Sequence, residues 1–388
     1  MNKKTRAWMI AISGTVMTGT IYAAIVNCFS LFIIPICTQN GFSRGEFNIS
    51  LTLLYCAYMV GSVMSGKLFR KYDLKKMMLL SSILMPLLFC SLAFTSYLFV
   101  FYIVFILLGL MMPYVSFASY SVLIHDWFEK NEGTAVGIAF MGSGIGGMIL
   151  NVISASLIES NGYQFAIIAL SILLAAVAIP VTIILVKPNH ENYGVDRNIK
   201  HSSALFIPGT GKLMIIATTI GFGITIMSQT MPPHLYDLGY SQMYAASMNS
   251  LFMGGLCLAK LVMGWLYDRL GVVKTIIISC SIGIIGALSY LFGVNQFLHP
   301  TMIVGAAMAT ALGSVSYPVL ARYLCKNELF ASASGNASAF NFLGSSLAPF
   351  FMNYLYDITS SYSIGYVVSI VMLLLVSIII VGTKPIKA

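Results

Sequence analysis

The 388-residue chain is 58% hydrophobic and only 9% charged, with a mean hydropathy of +0.89, whereas a soluble globular chain carries about 25% charge. That composition excludes an ordinary soluble enzyme and leaves room for about a dozen membrane crossings of roughly 20 apolar residues each. The formal charge of +9 does not mark a nucleic-acid binder, because the 21 Lys and Arg are scattered between apolar runs instead of forming one surface.

In chain order, the apolar runs predict helices over 8–36, 47–66, 77–95, 98–122, 134–157 and 163–186, then 210–231, 241–264, 273–293, 299–320, 331–353 and 363–382. The first follows Lys3, Lys4 and Arg6 and superficially resembles a secretion signal. It is too long and lacks a small-residue cleavage site, so a retained first span is expected. Six runs precede the polar stretch 187–201 and six follow it. The expectation is an all-α polytopic membrane protein of twelve spans: a bundle over 1–186, a cytoplasmic linker over 187–209 and a second bundle over 210–388. The seven cysteines, Cys28, Cys37, Cys56, Cys90, Cys257, Cys280 and Cys325, lie mostly inside apolar runs. They read as small buried hydrophobes, without metal-site or disulfide spacing.

Basic residues gather on cytoplasmic connections of membrane proteins, which supplies an independent test of the span count. With both termini inside, the inner side receives Lys3, Lys4, Arg6, Lys67, Arg70, Lys71, Lys75, Lys76, Lys130, Lys187, Arg197, Lys200, Lys212, Arg269, Lys274, Arg322, Lys326, Lys384 and Lys387. Only Arg44 falls outside, with Glu46, Glu159, Asp237 and Asp357, and only Lys260 lies well within a span. An odd number of spans would destroy this asymmetry.

The connection between the second and third spans reads Gly66-Lys-Leu-Phe-Arg70-Lys71-Tyr-Asp73-Leu-Lys-Lys76, and its second-half counterpart reads Gly264-Trp-Leu-Tyr-Asp268-Arg269-Leu-Gly271-Val-Val-Lys274. Both the opening glycines and the closing lysines are 198 residues apart, which supports two related six-helix bundles. A glycine permits close helix approach, and a charged turn can tie helix ends in one state and release them in another. Gly66, Arg70, Asp73, Gly264, Asp268, Arg269, Gly271 and Lys274 are therefore candidate gating residues.

This loop resembles the signature of the major facilitator superfamily: a glycine, three residues, Asp-Arg, one residue, a glycine and a following basic residue. The second copy matches it, while the first has Arg70 where the family usually has Asp and Asp73 where it usually has Gly. A narrower resemblance points to the monocarboxylate transporter and oxalate/formate antiporter branch. It rests on Asp126-Trp127-Phe128-Glu129-Lys130 with Gly133-Thr-Ala-Val-Gly137-Ile-Ala-Phe-Met-Gly142-Ser143-Gly144, and on Gly19-Thr-Ile-Tyr22 with Gly41-Phe-Ser-Arg-Gly-Glu46. The resemblance implies a carrier of small organic anions, without cofactor or metal, and a monomer is compatible with it.

An ionisable group inside hydrocarbon is costly unless it faces a cavity, a partner or a substrate, which makes Lys260 the leading substrate-site candidate. In the resembling branch the matching position carries a cation that pairs with the substrate carboxylate, usually Arg. Leu256 stands where proton-coupled members place an acid, and Val26 and Asn27 stand near the usual first-span basic residue. A lone central cation favours a monoanion over a small dianion. Tyr22, Asn27, Tyr114, Gln229, Asn249, Tyr317 and Asn341, with Asn336, are further cavity candidates, although such residues also bridge helices or anchor interfaces. Pro113, Pro318 and Pro349 are candidate kinks. Two other readings stay open: a carrier of neutral or amphiphilic solutes with Lys260 structural, and a membrane receptor that does not transport.

Overall fold

Ser, Asp and Gly at the edges of the apolar runs set the helix ends. Ser43 Oγ accepts the Glu46 N–H at 3.2 Å, while the Glu46 carboxylate accepts the Ser43 N–H at 3.0 Å, so a reciprocal capping box opens one helix. Asp73 opens the next by accepting the Lys76 N–H at 3.1 Å, and Ser241 opens another through the Tyr244 N–H at 3.2 Å. Gly271, at φ +78° between two long helices, takes a left-handed backbone that a residue with a Cβ adopts only under strain.

The computed structural model describes residues 3–188, 210–325, 329–359 and 361–383. Most of the expected linker, with His190, Arg197, Lys200 and His201, lies outside the described residues, as do Lys326, Lys384 and Lys387. So do the side chains of Arg44, Lys67, Arg70, Pro349 and Asp357. The described helices are α1 (Lys3–Met17), α2 (Phe29–Asn40), α3 (Arg44–Lys71), α4 (Leu74–Ser91), α5 (Leu98–Met111), α6 (Phe117–Trp127), α7 (Glu132–Ile184), α8 (Thr210–Asp237), α9 (Gln242–Leu270), α10 (Val272–Leu291), α11 (His299–Leu324), α12 (Phe330–Thr359) and α13 (Ser363–Val381). Ten helical stretches among the described residues are long and apolar enough to cross a membrane. One of these is α7, two helices joined at a kink at Gly162, whose 53 residues at about 1.5 Å per residue are enough for two crossings; the 30-residue α12 is also long enough for one.

Three expected spans differ in detail. The run 8–36 is not one helix: α1 passes through a π-helical segment, Thr18–Asn27, into α2, and the Cys28 N–H bonds the Ala23 carbonyl five residues back at 3.0 Å. Contacts with α7 that hydropathy does not encode hold this segment. Thr18 Oγ1 donates to the Ala139 carbonyl (2.8 Å) and Asn27 Nδ2 to the Ser143 carbonyl (2.8 Å), while Thr15 Oγ1, just before the segment, donates to the Ile138 carbonyl (2.6 Å). The fourth span is divided between α5 and α6 by a 3-10 turn, Met112–Tyr114, where Pro113 has no N–H to continue the helix. The expected gap at 158–162 shrinks to one non-helical residue inside α7, Gly162, at φ +81° and ψ 168°. Pro318 sits inside α11 without ending it.

The chain groups into two compact units: Met1–Glu129 with Ile138–Lys200, and Lys130–Gly137 with His201–Ala388. The opening of α7 thus belongs with the second unit. Lipid tails are as apolar as leucine, so close backbone packing, more than apolar burial, holds membrane helices together. In the first unit a Cβ on Gly142 would collide with the Thr15 carbonyl, and one on Gly146 with the Gly19 carbonyl. The second unit repeats the device, with Gly221 against the Asn341 carbonyl and Gly344 against the Thr218 carbonyl. Gly146→Val is therefore expected to destabilise the fold by about 3 kcal/mol or more, at the upper end of overpacking costs. Size-exclusion profiles after graded heating measure this, and a wild-type melting profile would show that the backbones part freely.

Candidate functional site

The candidate gate is built at the end of α9, where Gly264 and the first turns of α7 are trimmed to backbone so that the two helices nearly touch. A Cβ on Gly133 would lie 2.7 Å from the Gly264 carbonyl oxygen, one on Gly137 would lie 2.6 Å from the Lys260 carbonyl oxygen, and one on Gly264 would collide with the Gly133 carbonyl. This approach brings the Asp268 carboxylate onto the start of α7. It accepts the Gly133 N–H at 3.0 Å, the Thr134 N–H at 2.7 Å and the Thr134 hydroxyl. The first N–H groups of any helix lack intrahelical partners and carry the positive end of its dipole. Asp268 therefore acts as an N-cap supplied by a distant helix.

An ion pair joins the same junction: Glu132, 5% exposed, pairs with Arg322 at the end of α11. Sequence reasoning placed neither Glu132 nor Thr134 at the gate and read Arg322 only as an inner-side cation. The available signal was Glu132-Gly133-Thr134 at the mouth of an apolar run, which reads equally as an ordinary helix start. Arg269 rests over the Trp265 ring at 5.7 Å, Gly271 forms the left-handed turn, and Lys274 is exposed. In the first unit Gly66 is buried, and Asp73 is used locally as the α4 cap.

Lys260 lies one turn before Gly264, inside the 24-residue apolar stretch Ser247–Leu270, and is 3% exposed. Its side chain is enclosed by protein within that stretch. The other candidates divide. Tyr317 donates to Asn341 Oδ1 at 2.6 Å, so these two come together as a buried pair. Asn249 is half-buried on α9 and Gln229 is exposed on α8.

The first-unit candidates are Tyr22, half-buried and edge-on to Phe117 (4.8 Å between centroids), and Tyr114, buried with its ring at 5.8 Å from Phe69. Asn27 spends its amide on the Ser143 carbonyl at 2.8 Å, which is a helix-bridging role. Of the described histidines, His234 and His299 are pins at helix ends. Their Nε2 atoms lie 3.0 Å from the Tyr290 carbonyl and 2.8 Å from the Gly293 carbonyl, and His299 Nδ1 lies 2.7 Å from the Tyr244 hydroxyl.

Comparison with known proteins places this architecture. The family model described as Major Facilitator Superfamily matches residues 15–327 and again 213–387. The chain is similar to the MFS-type transporter YcxA of Bacillus subtilis, 23% identical over 63% of this chain and 61% of that protein. It is also similar to the probable transporter MCH2 of Saccharomyces cerevisiae, 22% identical over 43% of this chain and 36% of that protein. The similarity thus spans less than two thirds of either relative. Among solved structures, the fucose:proton symporter FucP of E. coli superposes with a TM-score of 0.78 at 13% identity, covering 97% of this chain and 98% of that one.

Proposed function

The chain belongs to the Major Facilitator Superfamily, whose members are integral membrane transporters and not enzymes, and from that premise we propose that it carries a small organic anion, a monocarboxylate by preference. The observation that carries this reading is Lys260, an ammonium group 3% exposed within an apolar crossing helix. A cation so placed is retained at a cost of several kcal/mol unless it serves a ligand or partner. As a compact point charge it attracts a carboxylate without imposing the bidentate geometry that Arg would. The branch is that of the monocarboxylate and oxalate/formate carriers. Leu256, lacking an acid one turn before Lys260, weighs against simple proton symport.

Transport proceeds by alternating access, one bundle rocking against the other around bound solute. The gate is the Asp268 cap on α7, with Arg269, Gly264, Gly271 and Lys274 shaping its turn and Gly66, Arg70 and Asp73 forming the first-half counterpart. The bundles are 1–186 and 210–388, joined by the linker 187–209. The carrier works as a monomer in the cytoplasmic membrane with both termini inside, and Tyr22, Asn27, Tyr114, Gln229, Asn249, Tyr317 and Asn341 are the polar candidates for the solute path beside Lys260.

Uptake into proteoliposomes, challenged by monocarboxylates, dicarboxylates and the neutral amides of the same acids, tests the substrate class. Competition by monocarboxylates at least tenfold stronger than by their amides is expected. Equal competition by the amides would transfer the reading to neutral solutes. Counterflow that needs no pH gradient is the expected coupling behaviour.

A further inference from the structure

The two copies of the repeated turn have diverged in charge. Residues 264–274 carry Asp268 against Arg269 and Lys274, and Asp268 is engaged by the α7 N–H groups. Residues 66–76 carry five cations, Lys67, Arg70, Lys71, Lys75 and Lys76, against Asp73 alone. Arg70 stands at the position of Asp268 and, as a donor only, cannot accept helix N–H groups. Asp73 is occupied as the α4 cap. The first turn therefore cannot repeat the second turn's clamp, and its positive charge is left in excess.

That excess is concentrated at one end of the first unit. Trp8 packs on Phe128 with ring centroids 5.0 Å apart, Lys75 Nζ donates to the Ile183 carbonyl at 2.7 Å, and Trp127 Nε1 donates to the Lys187 carbonyl at 2.8 Å. These contacts bring the start of α1, the α3–α4 turn and the ends of α6 and α7 to a common level. Lys3, Lys4, Arg6, Lys130 and Lys187 thereby join Lys71, Lys75 and Lys76 of the turn, with Asp73, Asp126, Glu129 and Glu132 the acids among residues 3–187 there, of which Glu132 is paired with Arg322. The opposite end of the same unit carries Arg44 with Glu46 and Glu159. At the centre of the basic end, Tyr72 is 51% exposed with Lys71 Nζ 5.3 Å from its ring centroid. A half-exposed tyrosine suits the headgroup boundary, where its ring is in apolar surroundings and its hydroxyl is wet.

We propose that this end of the first unit, centred on Lys71, Tyr72 and Lys76, is a docking surface for the phosphodiester headgroup of an anionic phospholipid. Charge complementarity selects the occupant. The chain crosses the bilayer, so lipid headgroups are present at that level at high local concentration, and the Tyr72 ring offers apolar contact that a free phosphate has no use for. Each cation near an anionic surface strengthens association on the order of fivefold. Lys71 and Lys76 are exposed, so changing them does not disturb the Lys75 bond to α7.

The test uses the full chain in detergent micelles doped with phosphatidylglycerol or phosphatidylcholine, with retained lipid counted by native mass spectrometry. The wild type is expected to retain phosphatidylglycerol at least tenfold over phosphatidylcholine, and to lose that preference at high salt. Lys71→Gln with Lys76→Gln should weaken retention at least tenfold, while Lys71→Arg with Lys76→Arg preserves it. Equal retention of the two lipids by the wild type, or unchanged retention by the glutamine variant, overturns the proposal. So does displacement of the lipid by millimolar glycerophosphate, which would mark a site for phosphate alone. Lipid counting does not depend on the transported solute, so its failure is distinct from a failure of the anion-carrier reading.

Discussion

Lys260→Ala is expected to reduce organic-anion uptake at least 100-fold in kcat/KM, while Lys260→Arg retains transport. Truncating one partner of an enclosed ion pair leaves the other charge uncompensated and costs roughly 3–5 kcal/mol, which exceeds two decades in rate. At 3% exposure the surroundings of Lys260 give little access to water that could solvate a substrate carboxylate once the ammonium is removed. The arginine variant keeps the positive charge and adds a bidentate option, so its selectivity should move toward planar carboxylates even if turnover falls. A structural lysine predicts a different result. In that case alanine would lower the thermal midpoint of the purified protein, and uptake per folded molecule would stay within a few-fold of wild type with unchanged KM. Measuring both quantities on one preparation separates the outcomes, and retained transport with unchanged affinity rejects the central-charge reading.

The features legible in the sequence share a physical basis: they depend on local composition or on a repeated spacing. Crossing helices follow from apolar runs, and Gly264 and Asp268 stood out because a glycine and a charged turn recur 198 residues apart. What the sequence could not supply was the partner. Asp268 caps a helix start 134 residues away, and Glu132 reads as an unremarkable first-turn acid until Arg322 is brought to it by the packing of α11. Asn27 shows the converse, because an amide in an apolar run is equally suited to a solute or to a neighbouring carbonyl, and here it bonds the Ser143 carbonyl. The π-helical segment was hidden for a related reason. It is a register change fixed by contacts with α7, and side-chain hydropathy is blind to backbone register.

Asp268→Asn is expected to slow transport about 30-fold while leaving KM within about threefold. The carboxylate receives two backbone N–H groups and one hydroxyl at the positive end of α7, and hydrogen bonds to a charged acceptor contribute about 1.5–3 kcal/mol each when sheltered. Asp268 is exposed, so water and salt reduce that contribution, and about 2 kcal/mol for the whole cap is a suitable discount. Asparagine keeps one acceptor oxygen but loses the charge and the second acceptor. If the proposed gate is this cap, its loss should alter the balance between conformations and leave the affinity of the bound state nearly unchanged. Thr134→Val removes only the hydroxyl and should slow transport less. Combined with Asp268→Asn it should add little further, since both changes break the same contact. Asp268→Glu lengthens the side chain and is expected to recover part of the rate, because it restores the charge without the geometry. A rate within twofold of wild type for Asp268→Asn, or full additivity with Thr134→Val, would separate this cap from the transport cycle and leave it a purely structural helix cap.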